Sequence, residues 1–159
     1  MIMAIRHVRY TRRMYSYEFP RPGFSADTIV TRAGDGGREV LLVRRGGEPF
    51  RGRWALPGGF VEEGERPVDA ARRELGEETG LRPSGTLAQL GAYADPGRDP
   101  RGWVVTVAYL VELAPEEDAT VAGGDDADEA AWFPVDALPS PLAFDHDIVV
   151  ADALAGRVR

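Results

Sequence analysis

Residues 59–81, which read GFVEEGERPVDAARRELGEETGL, constrain the fold and the chemistry of this chain more than any other stretch. The second half of the segment predicts a helix whose last two turns carry Glu74, Glu77 and Glu78. At about 100° per residue, the three carboxylates fall within one arc of about 100°, and Glu74 lies one turn before Glu78. They therefore share one face of the helix.

This acidic face is unfavourable if stability is the only requirement. Like charges at helical spacing repel by roughly 0.2–0.5 kcal/mol per pair. Glu77 and Glu78 also lie in the last turn before Gly80, where the helix dipole disfavours negative charge by roughly 0.3–1 kcal/mol more. A cluster that breaks two local rules is typical of a functional site; the alternative is a solvated acidic face. Because Mg²⁺ and Mn²⁺ prefer carboxylate oxygens, the cluster predicts a divalent-metal site.

The ends of this helix are also marked in the sequence. Pro67 suits the first helical position, where no amide hydrogen is needed, and Gly80 suits a left-handed C-terminal cap. Arg66 occupies the N-cap position, although its side chain cannot accept the hydrogen bonds of a cap. An apolar stripe beside the acidic face predicts packing against a sheet; it consists of Val68, Ala71, Leu75 and Thr79.

The same segment resembles the signature of the Nudix hydrolases. Every specified position of that signature is filled, by Gly59, Glu65, Arg73, Glu74, Leu75, Glu77, Glu78, Gly80 and Leu81. The resemblance implies an α/β (α+β) fold, in which a mixed β-sheet is sandwiched between helices in a single domain. It also implies divalent-metal-dependent hydrolysis of a nucleoside diphosphate linked to a further group.

The length and composition agree with a single domain. A chain of 159 residues buries about 70% of its unfolded surface, which is enough for a sizeable core. The net charge of −7 argues against a nonspecific grip on nucleic acid, and no apolar run reaches the length of a membrane span. The chain contains no Cys, and its start lacks the pattern of a secretory signal. We expect a cytoplasmic protein with a small-molecule partner and no nucleic-acid or membrane partner.

The chain divides into a short lead-in, residues 1–19, and a Nudix domain, residues 20–159. The lead-in mixes basic and aromatic residues, which fits a mobile segment or a subunit contact; the alternative is a phosphate- or RNA-binding arm. Hydrophobic patterns and turn residues in the domain predict strands at residues 24–31, 39–43, 87–94, 103–113 and 130–134. A second helix is predicted near the end, with Asp145 as N-cap and Gly156 as C-cap.

Three arginines outside the motif are candidate substrate contacts. Arg44 ends the second predicted strand beside Arg45, and either guanidinium could bind a phosphate. Arg98 and Arg101 lie in a turn-rich loop, where they could bind a terminal phosphate or position a ribose; the alternative is that Asp95 and Asp99 of the same loop neutralise their charges. Pro96 of the same loop lies fifteen residues past Leu81, a spacing that resembles the marker of the ADP-ribose pyrophosphatase branch.

The resemblance also implies roles for individual residues. The Gly58 carbonyl, Glu74 and Glu78 would hold Mg²⁺ or Mn²⁺, and Glu77 would be a further ligand or orient the attacking water. Arg73 and Glu65 would support these carboxylates from the side. A later acidic residue, Glu129 or Asp126, could share the role of base. For His146, a structural or solvent-facing role is favoured over a catalytic one, because no metal-ligand spacing accompanies it.

ADP-ribose is the substrate that these features favour, with AMP and ribose 5-phosphate as products. Two alternatives remain at the level of the sequence. One is another nucleotide substrate, such as an oxidised nucleoside triphosphate or a dinucleotide, and the other is a domain that senses ADP-ribose without cleaving it. Similar ADP-ribose hydrolases are commonly homodimers, and the aromatic-rich start of this chain is compatible with that arrangement.

Overall fold

A computed structural model describes residues 17–124 and 127–159, so most of the lead-in lies outside the described residues. The strands are β1 Gly23–Gly34, β2 Gly37–Arg45, β3 Trp54–Ala55, β4 Gly58–Phe60, β5 Ala88–Tyr93, β6 Val104–Glu112 and β7 Ala127–Pro134. The helices are α1 Pro67–Thr79 and α2 His146–Leu154. Within the described ranges, neither helix has the length and apolar character needed to cross a membrane.

The strands form one mixed sheet. Its main order is β3-β2-β1-β6-β5, with β4 paired to β1 and β7 paired to β2. The central pair β1 and β6 is parallel, whereas the other pairs are antiparallel. The predicted hairpin between β1 and β2 is confirmed, because Gly34 lies opposite Gly37 at its turn and Gly37 has a φ of +127°, a value that favours glycine.

The two helices cover opposite faces of the sheet. On one face, Ala71 and Leu75 of α1 pack against a core that includes Val30 of β1. On the other face, Val149 of α2 packs with Ile29 of the same strand. Because successive strand residues point to opposite faces, β1 contributes side chains to both cores. The expected fold, a mixed sheet between helices in one domain, is confirmed.

The ends of α1 follow the sequence closely. Pro67 is the first helical residue, and Gly80 has a φ of +76°, with its N–H donating to the Gly76 carbonyl. Arg66 makes no side-chain cap, as expected for a residue that cannot accept a hydrogen bond. It instead binds the Asp69 carboxylate one turn into the helix, at 2.6 Å.

The prediction for α2 is confirmed at its start and needs correction at its end. Asp145 is the N-cap residue, although its side chain makes no capping hydrogen bond, and the helix reaches its C-cap at Ala155 instead of Gly156. The Asp145 carboxylate instead binds the Arg98 guanidinium of another loop. Strands β3 and β4 were not predicted, because two or three residues are too few to produce an alternating pattern.

Leu75 offers a test of the packing between α1 and the sheet. Its side chain is fully buried, so Leu75→Ala should lower the free energy of unfolding by about 2–5 kcal/mol through lost burial and a residual cavity. Ile148 on the surface of α2, with 45% of its surface exposed, supplies the control, and Ile148→Ala should change stability by less than about 0.5 kcal/mol. Denaturant unfolding measures both, and equal losses would contradict this packing.

Candidate active site

One cleft, of about 1110 Å³, contains most of the motif side chains. Its walls come from the acidic face of α1, the glycines of β4, the loop between β5 and β6 and the residues that lead into α2. Among the lining residues are Asp27, Arg45, Gly58, Gly59, Phe60, Arg73, Glu74, Glu77, Glu78, Arg98, Arg101, Phe144 and His146. The cleft therefore brings residues that are distant in the sequence together with the carboxylates of the motif.

Gly58 and Gly59 allow the backbone to approach these carboxylates closely. A Cβ on Gly59 would lie 2.5 Å from the carboxylate of Glu74, and a Cβ on Gly58 would collide with the carboxylate of Asp27. Glu74 and Asp27 could not move away without losing their hydrogen bonds with Arg73 and Thr106. The close approach explains why the site uses two glycines in sequence.

Glu78 is the most buried of the three motif carboxylates. Its Oε2 accepts a hydrogen bond from the Gly58 N–H at 2.9 Å. Burial raises the pKa of Glu78 to about 8, and the negative charges of Glu74 and Asp27 act in the same direction. The anionic form of this side chain is therefore disfavoured unless a cation lies nearby.

Arg73 connects the remaining motif carboxylates. Its guanidinium binds Glu65 through Nε at 2.9 Å, Glu74 through Nη1 at 2.6 Å and Glu77 through Nη1 at 3.3 Å. Its Nη2 also donates to the Phe60 carbonyl at 3.1 Å. The hydrogen bond from Arg73 lowers the pKa of Glu65, whereas burial raises the pKa of Glu74. The structure therefore contains the pairing that the sequence predicted for Arg73 and Glu65.

The donor set fits a hard divalent cation. In the part of the chain that the structure describes, no three His, Cys, Asp or Glu side chains are already gathered as a metal-binding group. However, the buried Glu78 carries a raised pKa beside two other carboxylates, and a cation beside it would relieve this repulsion. Carboxylate and carbonyl oxygens are also the ligands that Mg²⁺ and Mn²⁺ prefer.

Asp27 is a site carboxylate that sequence reasoning missed. It lies in β1 with 7% of its surface exposed, and its Oδ2 accepts a hydrogen bond of 2.6 Å from the Thr106 hydroxyl. The available signal was that Asp27 is the one charged residue inside the predicted strand at residues 24–31. A charged residue is rarely buried in a strand without a specific reason.

Arg98 and Arg101 both line the cleft, but each is bound to a carboxylate of the protein. The Arg98 side chain is 4% exposed and makes two hydrogen bonds with Asp145, at 2.7 and 2.9 Å. Arg101 binds the buried Asp99 through Nε and Nη2, and its guanidinium lies 5.0 Å from the Phe60 ring. The alternative of pairing with loop aspartates is therefore present for Arg101, whereas the partner of Arg98 comes from outside the loop.

Arg44 and Glu129 lie opposite each other on β2 and β7. Their side chains are about half exposed and approach within 3.9 Å. Arg45, the neighbour of Arg44, lines the cleft, where its guanidinium lies 4.9 Å from the Phe144 ring. Asp126, the other candidate for a late acidic residue, lies outside the described residues.

His146 is buried at the start of α2. Its Nδ1 accepts a hydrogen bond of 2.9 Å from the Leu56 N–H, and its Nε2 lies 3.8 Å from Oδ2 of Asp27. Burial lowers the pKa of His146, which favours a neutral ring. Of the two roles that the sequence favoured for this residue, the structural one fits the geometry and the solvent-facing one does not.

Comparison with known proteins identifies the family of this site. The profile of the NUDIX domain matches residues 22–153. An ADP-ribose pyrophosphatase of Methanocaldococcus jannaschii is 41% identical over 131 residues, which cover 82% of this chain and 72% of that protein. The chain therefore belongs to the Nudix family. Its motif and fold are those of a pyrophosphohydrolase of that family.

Two solved structures share the fold of this chain. The NUDIX domain of Shewanella oneidensis NrtR, in complex with ADP ribose, matches with a TM-score of 0.79 and 32% identity, over 87% of this chain and 90% of that one. A bifunctional NMN adenylyltransferase/ADP ribose pyrophosphatase of Francisella tularensis, solved with AMP and a Mn ion, matches with a TM-score of 0.73 and 26% identity. The match covers 88% of this chain and 43% of the Francisella tularensis chain.

Several other curated relatives are considerably longer than this chain. It spans 55% of an Acinetobacter baylyi protein named as an ADPR responsive transcriptional repressor, to which it is 33% identical over 141 residues, or 87% of its own length. It spans 36% and 52% of two further relatives. The similarity to these proteins concerns one part of each.

Glu78 should make the stability of the metal-free protein depend on pH. Its pKa is about 8 in the folded state and 4.5 in its ordinary state. The folded chain therefore keeps a proton that the unfolded chain releases, and stability falls as the pH rises from 4.5 to 8. Glu78→Gln cannot ionise, so its stability relative to the native protein should increase by a few kcal/mol over this range.

Denaturant unfolding in the presence of a chelator, at both pH values, measures this difference. Glu116→Gln, on the exposed loop after β6, is the control and should show the same pH dependence as the native protein. A stability difference between Glu78→Gln and the native protein that stays constant with pH would contradict the raised pKa.

Proposed function

We propose that this protein hydrolyses ADP-ribose to AMP and ribose 5-phosphate with Mg²⁺ as its divalent cation. The observation that carries the proposal is the meeting of Glu74, Glu78 and the Gly58 backbone on one wall of a cleft. The similarity to an ADP-ribose pyrophosphatase at 41% identity supports the substrate. Pro96, at the spacing that resembles this branch of the family, agrees with it.

The residues proposed to hold the cation are Glu74, Glu78 and the Gly58 carbonyl, with Glu77 as a further ligand or as the base. A divalent cation bound here supplies charge neutralisation for the diphosphate and a lower pKa for a bound water. Arg73 fixes the rotamers of these carboxylates, because its planar guanidinium binds several oxygens at defined angles. Glu65 holds the other side of the guanidinium in place.

The bond that breaks is the P–O bond of the diphosphate bridge. Water attacks one phosphorus, the bridging oxygen leaves with the other phosphate, and a carboxylate accepts the proton of the water. Glu77 is the favoured acceptor, because it lines the cleft with 41% of its side chain exposed and can reach solvent. Arg45 is better placed than Arg44 to contact a phosphate, because it lines the same cleft.

A second candidate function is recognition of ADP-ribose without turnover. The NUDIX domain of Shewanella oneidensis NrtR, solved with ADP ribose, has the highest TM-score among the structures described above. The Acinetobacter baylyi relative is named as an ADPR responsive repressor. The complete set of motif carboxylates in this chain favours hydrolysis, because recognition alone does not require three carboxylates on one helical face.

A product assay tests the proposal directly. The purified protein is incubated with ADP-ribose, NADH, diadenosine polyphosphates or nucleoside triphosphates, with Mg²⁺, with Mn²⁺ or with a chelator. We expect release of AMP and ribose 5-phosphate, fastest from ADP-ribose and abolished by the chelator. Faster cleavage of another compound would assign that compound as the substrate in place of ADP-ribose, and tight ADP-ribose binding without any turnover would favour the sensing function.

Glu78→Gln should remove most metal-dependent turnover while the protein remains folded.

The role of base can be assigned by comparing two conservative variants. Glu77→Gln should lower kcat by about 10²–10⁴-fold, the usual contribution of a general base. Glu129→Gln should have the smaller effect, because Glu129 pairs with Arg44 on a neighbouring strand. Steady-state kinetics with ADP-ribose measures both variants. A larger loss of kcat in Glu129→Gln would transfer the role of base to that residue.

A further inference from the structure

The backbone of residues 56–58 is held by separate elements of the fold. The Leu56 N–H donates to Nδ1 of His146, at the start of α2, at 2.9 Å. The Pro57 carbonyl accepts a hydrogen bond from the Thr28 N–H of β1, at 2.8 Å. The Gly58 N–H donates to α1, as described above. The carbonyl proposed as a cation ligand thus follows a segment whose position depends on α2, β1 and α1 together.

Residues 56–58 lead from β3, which pairs with β2, into β4, which pairs with β1. Pro57 has no N–H, which leaves Leu56 and Gly58 as the amide donors of these three residues. Leu56 is 2% exposed, so water does not replace an acceptor lost from its amide. The backbone geometry before Gly58 therefore depends directly on the acceptor supplied by His146.

His146 is well suited to supply this acceptor. Its side chain is 3% exposed, and in a neutral imidazole whose Nδ1 accepts a hydrogen bond the proton lies on Nε2. The residue before it anchors the start of α2, because the Asp145 carboxylate is bound to Arg98.

We propose that His146 is a positioning residue, which directs the Gly58 carbonyl toward the carboxylates of α1 by holding the Leu56 amide. The inference rests on the proposed cation-dependent function. It assigns His146 no contact with the substrate or with the cation. Its effect passes through the backbone of residues 56–58, in the way that partners of metal ligands orient those ligands.

The test compares two replacements that differ in the position of their oxygen. His146→Asn carries an amide oxygen at the same number of bonds from the backbone as Nδ1, so it can still accept from the Leu56 N–H. His146→Gln carries its oxygen one bond further out and loses that acceptor. Both variants lose the imidazole ring and its packing, so they are matched for the structural consequences of that loss.

Binding of Mn²⁺ alone, without substrate, is the main measurement. Electron paramagnetic resonance of free Mn²⁺ should give a dissociation constant within about threefold of the native value for His146→Asn and at least about tenfold higher for His146→Gln. Hydrogen exchange of the Leu56 amide is the second readout. It should remain slow in His146→Asn and become fast in His146→Gln.

Asp147→Ala is the control for a purely structural effect. Asp147 binds the Leu142 N–H at the same helix start, so this variant should lower the Tm and leave the Mn²⁺ dissociation constant unchanged. The proposal is overturned if His146→Asn weakens Mn²⁺ binding tenfold, or if Asp147→Ala weakens it as much as His146→Gln does. If His146→Gln does not fold, the result for His146→Asn decides alone.

The native protein separates this inference from the proposed function. Native protein that binds Mn²⁺ without cleaving ADP-ribose would overturn the proposed substrate, while the comparison of the His146 variants would still test the positioning role. Native protein that binds no Mn²⁺ would overturn both.

Discussion

The ion pairs of Arg73 are the contacts on which the rest of the site depends. Three carboxylates of α1 lie on one face near the negative end of the helix dipole, an arrangement that repels itself. The guanidinium binds Glu65, Glu74 and Glu77 at once, and its contact with the Phe60 carbonyl joins the helix to β4. A lysine could not do this, because its single ammonium lacks the planar set of donors. Arg73 therefore contributes both to the stability of α1 and to the geometry of the site.

The charges of the cleft are unevenly compensated. The guanidinium groups of Arg98 and Arg101 are matched by Asp145 and Asp99, so they contribute less positive potential than the sequence suggested. The acidic wall retains more negative charge than Arg73 balances; burial raises the pKa of Glu78, and this excess charge raises it further. The diphosphate of a substrate would add further negative charge. A requirement for a divalent cation follows from this electrostatic balance as well as from the motif.

The sequence predicted what is local and left out what depends on tertiary contacts. Helix α1 was correct at both ends because Pro67 and Gly80 act through their own backbone preferences. The longer strands and the hairpin were recognised from alternating patterns, although their bounds differ by a few residues. Strands β3 and β4 are defined by pairing to β2 and β1, which no short pattern reveals. The Asp145 side chain was assigned to its own helix because its partner Arg98 lies 47 positions away.

The hydrogen bond between Leu56 and His146 spans 90 positions of the chain, and this separation affects the order in which the site is completed. During synthesis the motif leaves the ribosome well before His146, so α1 can form while the backbone of residues 56–58 still lacks its partner. Contacts of such high sequence separation form late, because the intervening chain must first be ordered. A nascent chain would thus form the acidic helix before its site is complete, and activity would appear only after His146 has been synthesised.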